Sequence, residues 1–409
     1  MTAAAGSEAW ITDVLRPGDL VVVAQGAGEP TPLLDQLVRC GHAVEDLEVF
    51  VGLSHSDVLL QPAARELSLV SFGAMGPLAR LAAEDRVAVI PCHFSDVPRL
   101  LELRAPGRVV VVLQVSAADA DGFHSLGLAV DYTWELVAGA RAVVAEVNDQ
   151  VPVTSAPRLH RSQLTAVVPT SRPLPEVKSG TPQEVHHRIA AHVASLVPDG
   201  ATLQLGVGTL ASVVASALRG KRELRVRSTL VGSWLCDLAT AGALSTDDGA
   251  VVISEAAGTQ KLYDYVVAGG VQVRPVSELT RPDVLAGIAG LVAVNSALQV
   301  DLTGQINAEE LTSGYVAGIG GQPDFLRAAQ RSPGGAAIVM LPATALGGRE
   351  SRIVTRLHAG AVTTPRSGVD FVVTEHGVAD LRGRSLTERA GALVGIAAPE
   401  HRDALGALA

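Results

Sequence analysis

Aromatic side chains make up only 3% of this 409-residue chain, and cysteine occurs only three times. With so few aromatics, any core must be built from Ala, Val, Leu and Ile, as in parallel sheets buried under helices. Cys40, Cys92 and Cys236 form an odd, scattered set without a C-x-x-C. That argues against a disulfide framework and a structural zinc site, and a reducing cytoplasm is the expected location. Basic residues are outnumbered, 32 Lys and Arg against 42 Asp and Glu, for a net charge of −10. No basic stripe with interleaved aromatics is present, so nucleic acid is not an expected partner. The most apolar uncharged stretch, residues 284–300, contains Asn295, Ser296 and Gln299 and reads as buried core, not a membrane span. The first residues lack a basic region followed by an apolar stretch, so no signal peptide is expected. No His/Asp/Glu set has metal-ligand spacing. We therefore expect no metal and no permanently bound cofactor.

What the chain does have is apolar content, 48% of all residues, arranged as short runs that alternate with helical patterns. Residues 20–24, 47–51, 87–91, 109–115 and 142–147 read as strands, and 32–39 and 77–83 as helices. A second series has strands near 202–205, 224–230, 251–254, 291–295, 337–341 and 371–374. Its helices lie near 182–196, 209–218, 323–329 and 386–393. This βαβα rhythm predicts two open, mostly parallel α/β domains. Between the series, residues 167–182 carry prolines at 169, 173, 175 and 182, which remove backbone donors and disfavour helix. The expected division is 1–170, a linker at 171–182, and 183–409.

Three loops carry candidate chemistry. Gly206-Val-Gly208-Thr-Leu-Ala211 follows a strand and opens a helix. It matches G-x-G-x-x-A, yet the next strand has no acid near its end, as a dinucleotide site would need. A tight βα turn or an acyl-thioester site are the other readings. Gly318-Ile-Gly320-Gly321-Gln322-Pro323 precedes a helix, where free N–H groups can hold an oxyanion or a phosphate. Asn295 ends an apolar strand, where open α/β sheets bind ligands, and its amide suits polarising a carbonyl. A turn, or an Asn that only bonds a loop, explains these equally well from the residues alone.

The ordered set Gly28-Glu29-Pro30, Gln114-Val-Ser116, Ala145-Glu-Val-Asn148, Ser171-Arg-Pro-Leu-Pro175, Asp199-Gly-Ala-Thr-Leu-Gln-Leu-Gly206, Val300-Asp-Leu-Thr-Gly-Gln305, Gly320-Gly-Gln322 and Gly377-Val-Ala-Asp-Leu-Arg-Gly383 resembles the acetyl-CoA hydrolase/transferase family, which includes the 4-hydroxybutyrate CoA-transferases. The resemblance implies a class I CoA-transferase fold with its site between two domains. It also implies an acyl-CoA substrate, an unidentified acceptor, and a glutamate that attacks the thioester. It places Gly206 and Gly208 beside the thioester, Asn295 and a backbone N–H of the Gly320 loop at the oxyanion, and Gly318, Gly320, Gly321 and Gln322 among the substrate- and CoA-binding residues. Ser351 and Arg352 would face CoA. We also expect a homodimer or higher homo-oligomer and no membrane association.

One position departs from that pattern. Where the family carries a His-Thr-Glu-like triplet, this chain has Arg227-Ser228-Thr229. Thr229 cannot form the anhydride and the glutamyl thioester of ordinary transfer. A carboxylate does occur nearby, Glu255 in the apolar run Val251-Val-Ile-Ser-Glu255. Carboxylates are rarely buried without a partner, so Glu255 is either ion-paired and structural or raised in pKa and functional. Three functions are consistent with this: a CoA-transferase with its carboxylate moved to Glu255, a thioester hydrolase or acyltransferase to a non-carboxylate acceptor, and a non-catalytic acyl-CoA-binding relative. Cys236 reads as a buried inert thiol, His186-His187 as a surface pair, and His124 and His376 as loop residues able to approach a ligand.

Overall fold

The computed structural model describes residues 9–357 and 360–407, so the first eight residues, on which the absence of a leader was read, lie outside it. Among the described residues no helix is long and apolar enough to cross a membrane. The first sheet contains β1 (Leu20–Val23), β2 (Glu48–Val51), β3 (Ser68–Ser71), β4 (Val87–Val89), β5 (Val109–Val115), β6 (Ala142–Asn148) and β7 (Ala166–Thr170). All are parallel, in the order β4-β3-β2-β1-β5-β6-β7. Every residue of β1 and β5 is buried. That is why these strands read as continuous apolar runs and not as alternation.

The second sheet contains β8 (Thr202–Leu205), β9 (Arg225–Val231), β10 (Val251–Ala256), β11 (Gln272–Val273), β12 (Leu291–Ser296), β13 (Ala336–Met340), β14 (Phe371–Thr374) and β15 (Gly377–Asp380). Its order is β11-β10-β9-β8-β12-β13-β14-β15. Only β15 is antiparallel, closing a hairpin with β14. Apart from that hairpin, the two sheets share one topology, each reversing direction once, between β1 and β5 and between β8 and β12. The expected α/β class with two open, mostly parallel sheets is thus observed.

One apolar core, including Val22, Phe72 and Val111 of the first half and Ile189, Leu203 and Ile253 of the second, runs continuously through both sheets. Separate cores lie on the far face of each sheet. The halves also share backbone hydrogen bonds. Val130 N–H donates to Ser254 O at 2.9 Å, Ala256 N–H to Leu128 O at 2.9 Å, and Phe94 N–H to Gly320 O at 3.0 Å.

Strand β7 occupies the first part of the proline-rich stretch. It lies at the sheet edge, where Pro169 removes no ladder bond that the sheet needs. Residues 171–182 contain no helix or strand. Their beginning is fastened to the first sheet by Arg172, which donates from Nε to Glu146 Oε1 at 2.7 Å and from Nη2 to Glu146 Oε2 at 2.8 Å. The same Nη2 reaches Gln114 Oε1 and Glu29 O. By Pro175 the chain is held by the second half, through Tyr263 O–H to Pro175 O.

Glu146 is wholly buried, and its remaining partner is the Thr170 hydroxyl at 2.7 Å. Removing the cation alone would strand a buried charge. Arg172→Met is therefore expected to destabilise by about 3–5 kcal/mol. The double variant Glu146→Gln/Arg172→Met should lose less than Arg172→Met alone, as measured by urea unfolding.

Candidate active site

In an open α/β sheet the strand ends on either side of the order reversal diverge and leave a crevice. Here the two crevices face each other. From the first sheet, β1 exits at Gln25, followed by Gly26. From the second, β8 exits at Gly206 and β12 ends in Asn295-Ser296. Between them lies a cavity of about 180 Å³, about six water volumes at 30 Å³ each. The first half supplies Gln25, Leu53, Phe72, Met75 and Phe94, and the second supplies Gln204, Thr229, Glu255, Asn295 and Gln322 among others. The first half's side is apolar apart from Gln25, and the second half's side carries the polar groups together with Leu230 and Phe325.

Of the sequence-derived candidates, Thr229, Glu255, Asn295, Gly206, Gly320, Gly321 and Gln322 line this cavity. Gly208, Gly318, Ser351 and Arg352 do not. Gly318 packs on the first half, where an added Cβ would lie 3.0 Å from Phe72 O and 3.1 Å from Gly73 Cα. Ser351 Oγ donates to Ile353 O. Arg352 Nε is buried without a partner, and burial lowers the guanidinium's pKa against the pull of Glu375. His124 bonds Ser116 O through Nδ1, and neither it nor His376 is on the cavity wall. Burial pushes the Cys236 thiol up, which fits the inert reading. No group of three or more metal-ligating side chains occurs among the described residues.

Glu255 belongs to β10 and is 1% exposed. No salt bridge reaches it among the described residues. Its Oε1 accepts from Gln25 Nε2 at 2.8 Å, while Oε2 is buried with no hydrogen-bond partner. Gly26, at φ +61°, leaves room for that oxygen, since a Cβ there would lie 2.9 Å from Oε2. Burial holds the Glu255 carboxyl well above its ordinary value, the nearby Asp131 raises it further, and the Gln25 amide pulls it down. Asp131 is buried too and is pushed up to about 6, burial outweighing bonds from Thr133 and the Gln25 N–H.

Asn295 Nδ2 donates to Gln204 Oε1 at 2.8 Å, linking the two strands that flank the crevice. Gln322 donates to Thr364 Oγ1, and its helix, Gln322–Arg331, is capped by Gly321. His93 Nδ1 lies 2.8 Å from Asp324 Oδ1, tying the start of this helix to the first half. The apolar wall and Gln25 escaped sequence reasoning. Gln204 carried a signal, a polar side chain in the middle of the apolar strand Thr202-Leu-Gln-Leu205.

The register clarifies how Thr229 and Glu255 relate. Leu230 pairs with Glu255 and Ser228 with Ile253, Thr202 pairs with Arg225, and Gln204 pairs with Ala293. Successive side chains alternate across a sheet. Thr229 therefore shares a face with Gln204 and Asn295, and Glu255 shares the opposite face with Ser228 and Leu230. The two approach the cavity around the strand ends from opposite sides.

Comparison with known proteins agrees with this architecture. Residues 6–158 match the acetyl-CoA hydrolase/transferase N-terminal domain and residues 258–409 the C-terminal domain of the same name. The 4-hydroxybutyrate coenzyme A transferase of Clostridium kluyveri is 35% identical over 395 residues, spanning 94% of this chain and 92% of that protein. The 4-hydroxybutyrate CoA-transferase structure from Porphyromonas gingivalis superposes with a TM-score of 0.83 at 33% identity, covering 99% of this chain and 96% of the other. RipA from Yersinia pestis gives 0.88 at 30% identity, covering 100% and 96%.

A raised carboxyl pKa is also a statement about stability. The native state keeps a proton on Glu255 that the unfolded chain releases above its ordinary pKa of 4.5. Stability from this group is full below that value and is lost as pH rises through the folded pKa. Glu255→Gln, which cannot ionise, is expected to gain on the wild type by up to about 1.4 kcal/mol per pH unit across that window. Urea unfolding from about pH 5 to about pH 8 measures the gap, and a gap independent of pH contradicts the assignment.

Proposed function

The chain belongs to the acetyl-CoA hydrolase/transferase family, enzymes of the acyl-CoA transferase/hydrolase type, and on that premise we propose that it is a CoA-transferase-like enzyme for a small or medium acyl thioester, with Glu255 as its reacting carboxyl. The observation that carries this reading is that, among the described residues, Glu255 is the sole carboxyl, imidazole, amine or thiol on the cavity wall. The apolar side, Leu53, Phe72, Met75 and Phe94, suits a short acyl chain. The amides of Asn295 and Gln322, and the backbone at Gly320 and Gly321, suit the carbonyl oxygen as charge develops on it. Coenzyme A enters as substrate, and the proposed location is the cytoplasm.

In the transfer reaction an ionised Glu255 oxygen attacks the thioester carbon. The C–S bond breaks and its electron pair leaves on the CoA sulfur, giving a mixed anhydride. The thiolate then attacks the glutamyl carbonyl and the first acyl group departs as a carboxylate. An acceptor carboxylate reverses both steps and leaves as the new acyl-CoA. Burial keeps Glu255 protonated at lower pH, so activity should rise with pH as the carboxylate forms.

The register favours a second reading. A carboxylate at position 229 would emerge beside Gln204 and Asn295, whereas Glu255 arrives from the other face. From there it suits taking a proton from water or from another acceptor as that group attacks the thioester. This is hydrolysis, or acyl transfer to a non-carboxylate acceptor. Mass spectrometry after incubation with acyl-CoAs separates the two, because only the first reading leaves CoA covalently joined to the Glu255 peptide.

Substitution tests both readings together. Glu255→Gln is expected to lower kcat/KM on the order of a hundredfold or more. Thr229→Ala should cost less than about tenfold, about 1.4 kcal/mol. Thr229→Glu should gain ordinary transferase activity if the remaining site is intact. Equal, small losses from Glu255→Gln and Thr229→Ala would remove Glu255 from the chemistry. Acyl-CoA binding by calorimetry without turnover would then leave a binding protein.

A further inference from the structure

We propose that Gln25, at the exit of the first strand, is a positioning residue that tethers one oxygen of Glu255 and leaves the other free to react. The proposal rests on the reading of Glu255 as the reacting carboxyl.

The amide of Gln25 has a fixed orientation. Its Oε1 accepts from Leu53 N–H at 3.0 Å, and a backbone N–H can only donate. The opposite end, Nε2, therefore faces Glu255 and donates to Oε1 at 2.8 Å. The backbone of Gln25 is anchored as well, its N–H donating to Asp131 Oδ2 at 2.6 Å. Asp131 is held in turn by the N–H and hydroxyl of Thr133. Close approach of neighbouring backbone completes the clamp, since a Cβ at Gly52 would lie 2.2 Å from Gln25 Oε1 and 2.7 Å from Tyr132 OH.

The consequence is an asymmetric carboxyl group. Oε1 already accepts a hydrogen bond, so the proton of the neutral acid sits on Oε2. That oxygen is buried, bare of partners, and belongs to a residue of the cavity wall. On ionisation the Nε2–H bond stabilises the anion, and the reacting lone pairs are those of Oε2. The charged or titratable groups facing Glu255 are Asp131 and Tyr132, both in the loop of the first half packed against β10. Its own sheet presents no charged group to it, since its register partner is Leu230 and Ser228 Oγ bonds Leu205 O and Leu230 O, and no cation reaches it among the described residues. Among the described residues, Gln25 is the one neighbour that favours the ionised form.

The test is the pH dependence of kcat/KM with an acyl-CoA substrate for wild type, Gln25→Met and Gln25→Glu. Met keeps the length of the side chain and deletes the donor. Glu keeps an acceptor for Leu53 N–H and sets a second acid against Glu255. Loss of one hydrogen bond to a charged group should move the acid limb of the profile up by about one pH unit in Gln25→Met, and further in Gln25→Glu. The KM for acyl-CoA should change less than kcat. An acid limb that stays in place in Gln25→Glu, or a loss confined to KM, overturns the proposal, and Gln25→Glu decides the matter if Gln25→Met does not fold. Failure of the underlying reading shows separately. If Glu255→Gln retains wild-type activity, Glu255 is not the reacting group. If that variant is inactive while the Gln25 profiles do not move, only the positioning role falls.

Discussion

A carboxyl group can be kept from water only where something else satisfies the backbone around it, and here that is the seam between residues 128–130 and the end of β10. A parallel strand that stops at a crevice leaves N–H and C=O groups unpaired. In this protein the other half of the chain pairs them, with Val130 N–H on Ser254 O and Ala256 N–H on Leu128 O. Ala129 and Glu255 face each other across that bridge. The side chain of Glu255 is thereby committed to the interior. Its raised pKa, the donor from Gln25 and the missing side chain at Gly26 follow from that placement. Were the seam to part, water would reach Glu255 and the carboxyl would return towards its ordinary range.

The shared topology of the two sheets explains why the cavity has two unlike walls. Each sheet opens a crevice where its strand order reverses, and the crevices meet. The first contributes a glutamine and an apolar surface, and the second contributes amides, a glycine turn and a carboxyl beside Leu230 and Phe325. Aromatics are scarce in this chain, yet Phe72, Phe94 and Phe325, half of its six phenylalanines, line the cavity. Phe72 and Phe94 also pack against each other, with centroids 5.3 Å apart, and against Tyr132, whose hydroxyl bonds Val23 O and the Gly52 N–H. The aromatic residues stiffen the wall on which the site is built as well as filling it.

Much of this was legible in the sequence, and the exceptions have physical causes. Strands at 109–115, 202–205 and 371–374 begin and end where the sequence places them, because buried parallel strands read as mainly apolar runs even where single polar residues such as Gln114, Gln204 and Thr374 interrupt them. Ser68–Ser71 escaped notice because it is four residues long and bounded by serines. Ala166–Thr170 was obscured by Pro169, which an edge strand tolerates. Glu255 stood out because a lone acid in an apolar strand costs energy wherever it is placed. Gln25 left no such trace. A polar residue at a strand exit is ordinary, and its partner lies 230 positions away, a contact that only the topology creates.

The phase of the pleat bears most directly on the chemistry. Had Glu255 simply replaced a carboxylate at position 229, the two would share a face, and they do not. The face of Thr229 keeps the amide pair Gln204 and Asn295, hydrogen-bonded to each other and suited to receiving a carbonyl oxygen. The face of Glu255 supplies the buried acid. A thioester carbonyl lying across the strand ends would meet its polarising amides from one side and the carboxyl from the other. Amides that hold a carbonyl oxygen lie near the plane of that group, whereas a carboxylate or an activated water attacks its carbon from outside the plane, so donors on one face and a carboxyl on the other do not obstruct each other. On the proposed reading, Thr229 in place of a carboxylate and an amide at Asn295 are therefore compatible within one site. The proposed oxyanion side of the cavity does not depend on which face delivers the attack.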